Sequence, residues 1–283
     1  MRINNKTKEH IKKMNAGLYG IQNIENSLGL IFHENSKQDK NTIQNQYRQL
    51  GLYSSPYVME RASQAYKAYP GTKTYSLQVP TGIPVNMQGK SLLEILSKRR
   101  SGRKFSKYLI SINELSILLY YSYGEVIETE IQGQSYTWKY RPIPSAGALY
   151  PLELYFYLNN SILPSGLYHF RPDKSIIELI KEEDRMSDLK KIIVAEPYVD
   201  ISNCSCVFFV TSVFERTMMK YAERGYRFIV QEVGELNQTI SLICEYLNLR
   251  SCIIGSFEDY NVDNYLQIDG VFESIQSIVI IGK

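Results

Sequence analysis

Between residues 227 and 247 the apolar positions Ile229, Val233, Leu236, Ile240, Ile243 and Leu247 recur at alternating steps of four and three. That spacing lays one continuous stripe along an α-helix, and it suits a core seam or half of a dimer interface. Elsewhere the period shortens to two. Residues 153–158 alternate and are rich in aromatics, which predicts a strand, and Asn159-Asn160 marks the turn after it. Residues 166–170 followed by Pro172-Asp173 predict a second strand and turn, 176–180 a third strand, 208–211 a buried strand and 275–281 a last apolar one. Ser91 opens a short helix through Leu96 whose far end delivers a run of arginines, and Ser111 or Asn113 caps a second helix through Tyr121 with Glu114 in its first turn. Residues up to Tyr69 are mostly polar with helical character, and the turn-forming stretch 70–84 reads as a connector. Helices mixed with short hairpin-like strands predict an α+β fold rather than a parallel doubly wound sheet. No internal repeat is present. The boundary expected from this pattern sets residues 1–88 as a helical extension with its connector and 89–283 as the main domain.

Composition narrows the choices. A chain of 283 residues with 44% hydrophobic and 22% charged positions has the make-up of a globular domain with a sizeable core. A formal charge of +3 gives no strong pull towards nucleic acid or a membrane surface. Residues 1–13 are polar and basic, no apolar core of signal-peptide length follows, and no stretch approaches membrane-spanning length, so the expected location is cytoplasmic. The cysteines at 204, 206, 244 and 252 form no C-x-x-C pair, and with His10, His33 and His169 they offer no metal-ligand spacing. Cys204 and Cys206 fall in a strand-like run and read as core thiols. Tyrosine is frequent, 23 residues against one tryptophan, which suits a groove for a peptide or a ring. Compositional drift is the other explanation.

Three segments carry candidate chemistry. Arg99-Arg100-Ser101-Gly102-Arg103 packs three guanidiniums and a hydroxyl into five residues. Arg99 and Arg103 share a face if the helix continues, and like charges at that spacing repel by roughly 0.2–0.5 kcal/mol. A bound phosphate reverses the sign, because guanidiniums pair with its oxygens in bidentate fashion; a solvated basic helix end is the alternative. Pro144-Ser145-Ala146-Gly147-Ala148-Leu149-Tyr150-Pro151 is a small-residue run between prolines, which either lets backbone lie close against a flat ligand or makes a tight turn before a strand. A phosphate binder and a ring binder on one chain point to a phosphorylated planar cofactor, and FMN fits best. The third segment places Lys220 beside Tyr221 in what reads as a polar loop or helix start. A lysine in a dry pocket becomes a base and a neighbouring tyrosine a hydrogen-bond donor; two ordinary surface side chains are the alternative. Ile254-Gly255-Ser256 ends a strand-like run and suits the edge of a flat ligand. No G-x-G-x-x-G or Walker-type loop occurs, which disfavours a Rossmann or P-loop frame.

Taken together these segments resemble the SagB-type dehydrogenases, or thiazole/oxazole-forming peptide oxidases, a branch of the FMN-dependent nitroreductase superfamily. The resemblance also runs through Phe32-His33-Glu34-Asn35-Ser36-Lys37, Tyr69-Pro70-Gly71, Arg141-Pro142-Ile143 leading into the small-residue run, Gly166-Leu167-Tyr168-His169-Phe170 and Lys220-Tyr221-Ala222-Glu223-Arg224-Gly225-Tyr226-Arg227. It implies a three-layer nitroreductase-like fold, with a mainly antiparallel central sheet flanked by helices, in an intertwined homodimer with a helical N-terminal extension. It implies that Arg99, Arg100, Ser101 and Arg103 hold the FMN phosphate and ribityl chain. Ser145, Ala146 and Gly147 would lie along the ring system, with Ile254, Gly255 and Ser256 near its reactive edge and some contacts made by the partner chain. Lys220 and Tyr221 match the pair assigned catalytic roles in oxidising peptide azolines to thiazoles or oxazoles. The implied partners are a cyclodehydratase complex and a precursor peptide. Where the family pattern commonly has glycine after Lys-Tyr, this chain has Ala222. Two other functions use the same frame: an NAD(P)H-dependent nitro or quinone reductase, and a non-catalytic flavoprotein scaffold of a modification complex.

Overall fold

Alternate side chains of a strand point to opposite faces, and in Leu152–Leu158 both faces are covered. Leu152, Leu154, Phe156 and Leu158 join one apolar cluster, Tyr155 and Tyr157 a second on the other side. A strand buried on both faces belongs to the middle layer of three. The computed structural model describes residues 5–6, 8–9, 27–44, 55–80, 90–130, 133 and 136–283. In chain order the elements are α1 (Leu28–Asn35), α2 (Pro56–Ser63), β1 (Lys73–Ser76), α3 (Leu92–Lys98), α4 (Ile112–Tyr123), β2 (Ile127–Glu130), β3 (Thr137–Tyr140), β4 (Leu152–Leu158), β5 (Gly166–Arg171) and β6 (Ile176–Glu182). They continue with α5 (Met186–Ile192), β7 (Cys206–Val213), α6 (Glu215–Tyr221), α7 (Glu223–Tyr246), β8 (Arg250–Ile254), α8 (Asp259–Leu266) and β9 (Glu273–Gly282). Contacts divide the chain into two units, residues 1–50, which contain α1, and residues 51–283.

In the larger unit seven strands run in the order β1-β6-β5-β4-β7-β9-β8, every neighbouring pair antiparallel. Helices α4 and α7 cover one face, where Leu115, Leu118, Ile229, Leu236 and Ile240 meet Phe156, Phe208 and Val279. On the other face, α5 and α8 bring Leu189, Val262 and Leu266 against Phe209, Ile278 and Ile280. Each such side chain, once buried, contributes about 1.5–3 kcal/mol. This is the three-layer α+β arrangement expected from the resemblance.

The apolar stripe of α7 faces the core as the spacing predicts, and the helix begins at Glu223, four residues earlier than expected. Ser111 rather than Asn113 caps α4: its hydroxyl accepts from the Glu114 amide while the Glu114 carboxylate accepts from the Ser111 amide. Three expectations are corrected. Helix α3 stops at Lys98, with Arg99 at ψ 123° in extended backbone, so Arg99 and Arg103 do not share a helix face. The stretch expected to be a connector contributes β1, which closes the sheet edge by pairing Lys73–Ser76 with Leu179–Ile176; residues 81–84 of that stretch lie outside the described residues. Lys220 and Tyr221 sit on the last turn of α6, neither in a loop nor at a helix start. The β2–β3 hairpin and helices α5, α6 and α8 carry no strong period and escape a reading of the pattern. Residues 10–26 and 45–54, read as helical from sequence, also lie outside the described residues.

Among the described residues no helix is long and apolar enough to cross a membrane, and no cluster of three or more His, Cys, Asp or Glu is placed to hold a metal ion.

Candidate active site

The register of the sheet decides which motifs meet. Leu152 at the start of β4 pairs with Ser212 near the end of β7, and Ser212 pairs with Ser274 at the start of β9. The small-residue loop that precedes β4 and helix α6 that follows β7 therefore leave the sheet at one end. Gly147 shows how closely they approach. A Cβ on this residue would lie 2.7 Å from Tyr221 Oη and 2.8 Å from Lys220 Nζ. Its φ of +65° is also one that side-chain-bearing residues rarely adopt. The glycine thus gives room to the Lys-Tyr pair, a reason for its smallness that only the structure supplies. Ser145, Ala146 and Gly147 form part of a single 3₁₀ turn with its flanks, in which Ala148 and Tyr150 also take positive φ values, +53° and +45°.

Three groups hold that turn in place. The Ser145 hydroxyl accepts from the Tyr150 amide at 2.9 Å and donates to Glu232 Oε2 of α7 at 2.6 Å. The Tyr123 hydroxyl donates to Glu232 Oε1 at 3.2 Å and accepts from the Leu152 amide at 3.1 Å. The Arg141 guanidinium lies 4.1 Å from the Tyr123 ring centre and 4.8 Å from that of Tyr150, a cation–π contact with each of two nearly perpendicular rings. Strained backbone persists where its surroundings over-determine it, and this clamp does so. Burial raises the Glu232 pKa to about 7, although Ser145, Arg141 and Tyr123 favour its charge. Neither Glu232 nor Arg141 stands out in the sequence as a site residue. Glu232 lies one position before Val233 of the apolar stripe, and a carboxylate in that place is the only available signal.

Lys220 and Tyr221 are half-buried. Burial lowers the Lys220 pKa from its ordinary value and raises that of Tyr221, so the amine gives up its proton more readily and the phenol keeps its own. Beside them opens a cavity of about 490 Å³ lined by Met59 and Ala62 of α2, Leu149, Val213, Met219 and Lys220. Arg216 also lines it, but its guanidinium is engaged with Glu153. The cavity is therefore mainly apolar, with the Lys220 amine at its wall and Arg61, Gln64 and Glu215 also in its lining.

The arginine segment lies elsewhere. Ser101 bridges to Ser251 of β8, the edge strand, and the Gly102 amide donates to the Ser251 carbonyl at 2.9 Å. A Cβ on Gly102 would lie 2.5 Å from Cβ of Arg250, so only glycine lets the segment run this close to the strand. Arg100, Ser101 and Arg103 are exposed and Arg99 half-buried. Arg100 Nη1 donates to the carbonyls of Ser97 and Arg99, and among the described residues no carboxylate pairs with the three guanidiniums. Ser251 is level with Ile281 and thus with Cys206, where β7 begins. Val213, from which α6 departs, is about 23 Å further along at the usual strand rise. Ile254, Gly255 and Ser256 continue from β8 towards that far end, and a Cβ on Gly255 would meet nothing within 4 Å. The structure thus joins Ser145, Ala146 and Gly147 with Lys220 and Tyr221. It separately joins Arg99–Arg103 with β8 and the Ile254–Ser256 end. Guanidiniums that face no carboxylate among the described residues, with a hydroxyl beside them, suit a phosphate, and open space beside a glycine suits a flat ring, so these residues fit a phosphorylated planar cofactor.

The Nitroreductase family matches residues 96–283, about two-thirds of the chain, and the chain belongs to that family. Over 196 residues it is 29% identical to MJ1384 of Methanocaldococcus jannaschii, a protein named as a nitroreductase, covering 69% of this chain and 91% of that one. It is 24% identical over 140 residues to the microcin B17-processing protein McbC of Escherichia coli, covering 46% of this chain and 49% of McbC. With the trifolitoxin-processing protein TfxB of Rhizobium leguminosarum bv. trifolii it shares 26% identity over 149 residues, 50% of this chain and 39% of TfxB. It thus spans half or less of these two peptide-processing relatives. Among solved structures, a nitroreductase from Anabaena variabilis superposes with a TM-score of 0.66 at 24% identity, over 90% of this chain and 46% of that one. The E. coli McbBCD microcin synthetase complex with truncated pro-MccB17 bound gives a TM-score of 0.56 at 17% identity, over 98% of this chain and 91% of the matched one.

Proposed function

We propose that this protein is an FMN-dependent dehydrogenase of the SagB type that oxidises azoline rings of a ribosomally made peptide to thiazoles or oxazoles. The observation that carries this reading is the meeting of Lys220 and Tyr221 with the Gly147 turn beside a mainly apolar chamber. A nitro or quinone reductase has no carbon-bound proton to remove, whereas azoline oxidation does. Relatedness to two peptide-processing proteins supports the substrate class.

In this account the Lys220 amine, its pKa lowered by burial, takes the proton from the azoline carbon that was the residue's α carbon. Tyr221, which burial keeps protonated, orients the ring by donating a hydrogen bond. The apolar walls exclude water, which preserves the amine as a base and the ring as a substrate. When bound, FMN supplies the acceptor for the hydride that completes the two-electron oxidation. Arg99, Arg100, Arg103 and Ser101 would hold its phosphate, and Ser145, Ala146, Gly147, Ile254, Gly255 and Ser256 would line its ring.

Because the arginine segment and the Lys-Tyr pair issue from opposite ends of β7 and its neighbours, a complete site calls for two copies of the chain, one giving each half. The exposed Leu92, Leu93 and Leu96 of α3 support such a homodimer. The remaining partners in this reading are the precursor peptide and the cyclodehydratase complex that forms its azolines, in keeping with the fold shared with McbBCD. The test is mass spectrometry of a heterocyclised peptide. The expected result is a loss of two hydrogens (about 2 Da) per ring with wild-type protein and about 10²–10⁴-fold slower loss with Lys220→Ala that retains FMN. Wild-type rates in Lys220→Ala and Tyr221→Phe would remove both residues from the chemistry.

A further inference from the structure

The Ser145 hydroxyl has one hydrogen, and the structure places it on Glu232 Oε2, 2.6 Å away. Its oxygen is engaged by the Tyr150 amide at 2.9 Å. While Glu232 is ionised, Ser145 therefore has no hydrogen left for a ligand lying along the turn. A protonated Glu232 changes this. Its own O–H then donates to the second lone pair of Ser145 Oγ, and the serine hydrogen is released to rotate towards the open side of the turn. We propose that Glu232 is a positioning residue that decides whether the Ser145 hydroxyl donates to the protein or to the cofactor ring. The inference rests on the reading of Ser145 as a cofactor contact, but it concerns binding and not turnover.

The surroundings make such a change of state accessible. Glu232 is 3% exposed and sits among groups from several elements. Tyr123 of α4 bonds to it, Arg141 after β3 lies over the Tyr123 ring, and Glu235 adds like charge from α7 itself. The Glu153–Arg216 pair acts on Tyr123 from beyond it and is internally neutralised. Arg141 favours the ionised form, while burial and Glu235 favour the neutral one, and the balance falls near neutral pH. A glutamine, whose amide donates to Ser145 Oγ at every pH, would fix the released arrangement permanently.

The test is FMN titration of the full chain from pH 5.5 to 8.5, followed by quenching of flavin fluorescence and by the shape of the bound visible band, with each affinity expressed for the phosphate dianion so that titration of FMN's own phosphate at about pH 6 is removed. Wild type is expected to bind FMN several-fold more tightly below pH 7 than above it, with a band shift over the same range. Glu232→Gln is expected to keep the low-pH affinity and band throughout. Ser145→Ala is expected to lose the pH dependence while keeping the high-pH affinity. Circular dichroism confirms that each variant is folded, and if Glu232→Gln does not fold, the Ser145→Ala titration decides alone. Wild-type affinity that ignores pH, or a pH dependence that survives in either variant, would overturn the role of Glu232. Azoline oxidation that fails while these titrations behave as stated would overturn the substrate reading and leave this one standing. Wild type that takes up no FMN overturns both.

Discussion

Two groups of charges in this molecule follow opposite rules. Inside the fold, His169 of β5 lies between Glu153 at 2.9 Å and Glu178 at 3.0 Å, with Arg216 on Glu153 and Arg171 on Glu178. Lys67 pairs with Glu273, which also accepts from Tyr155 and Thr211. At the sheet edge, Arg99, Arg100 and Arg103 face no carboxylate among the described residues. A charge removed from water must find its opposite within the protein, whereas a charge left at the surface without one is available to a ligand. The first group is architecture, and the second is the phosphate site of the proposed function. Sequence alone brings out only the second, because Arg99, Arg100 and Arg103 stand within five residues, whereas the first is gathered from positions as far apart as Lys67 and Glu273. The motifs Tyr69-Pro70-Gly71 and Gly166–Phe170 meet in the buried group. The Tyr69 amide donates to Glu178 and its ring stands 5.3 Å from that of His169.

The comparison breaks first if the inner charges are dispensable. Glu153→Ala leaves Arg216 and His169 without their shared carboxylate, and urea unfolding is expected to show a loss of about 3–5 kcal/mol. A loss below about 1 kcal/mol would make the network incidental. The same group sets a pH dependence. Burial opposes charge on His169, yet its bonds to Glu153 and Glu178 raise its pKa above the ordinary 6.5. Its contribution to stability is thus complete below pH 6.5 and lost as pH rises through the folded value. Burial likewise opposes charge on Glu153, but Arg216 and His169 hold its pKa well below the ordinary 4.5. Its contribution is complete above pH 4.5 and lost on acidification. Thermal unfolding across pH is expected to show both contributions intact between 4.5 and 6.5, with the acid limb reduced in Glu153→Gln.

The outer group is sharpened by Arg103→Ala. A charge-assisted bond to phosphate is worth about 1.5–3 kcal/mol, so FMN affinity is expected to fall about 10–100-fold. The unfolding free energy without FMN is expected to stay within about 0.5 kcal/mol of wild type. Equal FMN affinity would take Arg103 out of the phosphate site.

The smallest effect lies at the joint between the Lys-Tyr helix and the long helix. Ala222, where the family pattern commonly has glycine, takes φ 46° and ψ −141°, close to a region essentially reserved for glycine. Ala222→Gly is expected to raise stability by about 0.5–1 kcal/mol, after allowing for the greater freedom glycine has when unfolded. That is about 1–4 °C in a chain of this size. A fall in melting temperature would show that the alanine conformation carries no strain.

Much of the fold was legible because its longest elements repeat a pattern: the α7 stripe, the alternation of β4 and the capping box of α4 all stand in the sequence. Short elements with mixed faces, such as α5, α6 and α8, carry too few turns for a period to emerge. The candidate site was legible as separate motifs and not as an arrangement. That Gly147 makes room for Lys220 depends on Leu152 lying opposite Ser212, a long-range register. The part played by Glu232 was hidden for the same reason, since its partners Ser145 and Tyr123 are 87 and 109 positions away.

The account turns on Lys220 removing a proton from a peptide ring next to bound FMN. Its most direct test mixes FMN-loaded protein with an azoline-containing peptide in the absence of oxygen and NAD(P)H and follows the yellow absorbance band. Loss of the band in step with the loss of two hydrogens from the peptide, and its persistence in FMN-loaded Lys220→Ala, is the expected result. A band that fades only on adding NAD(P)H, or that fades as fast in Lys220→Ala, would contradict it.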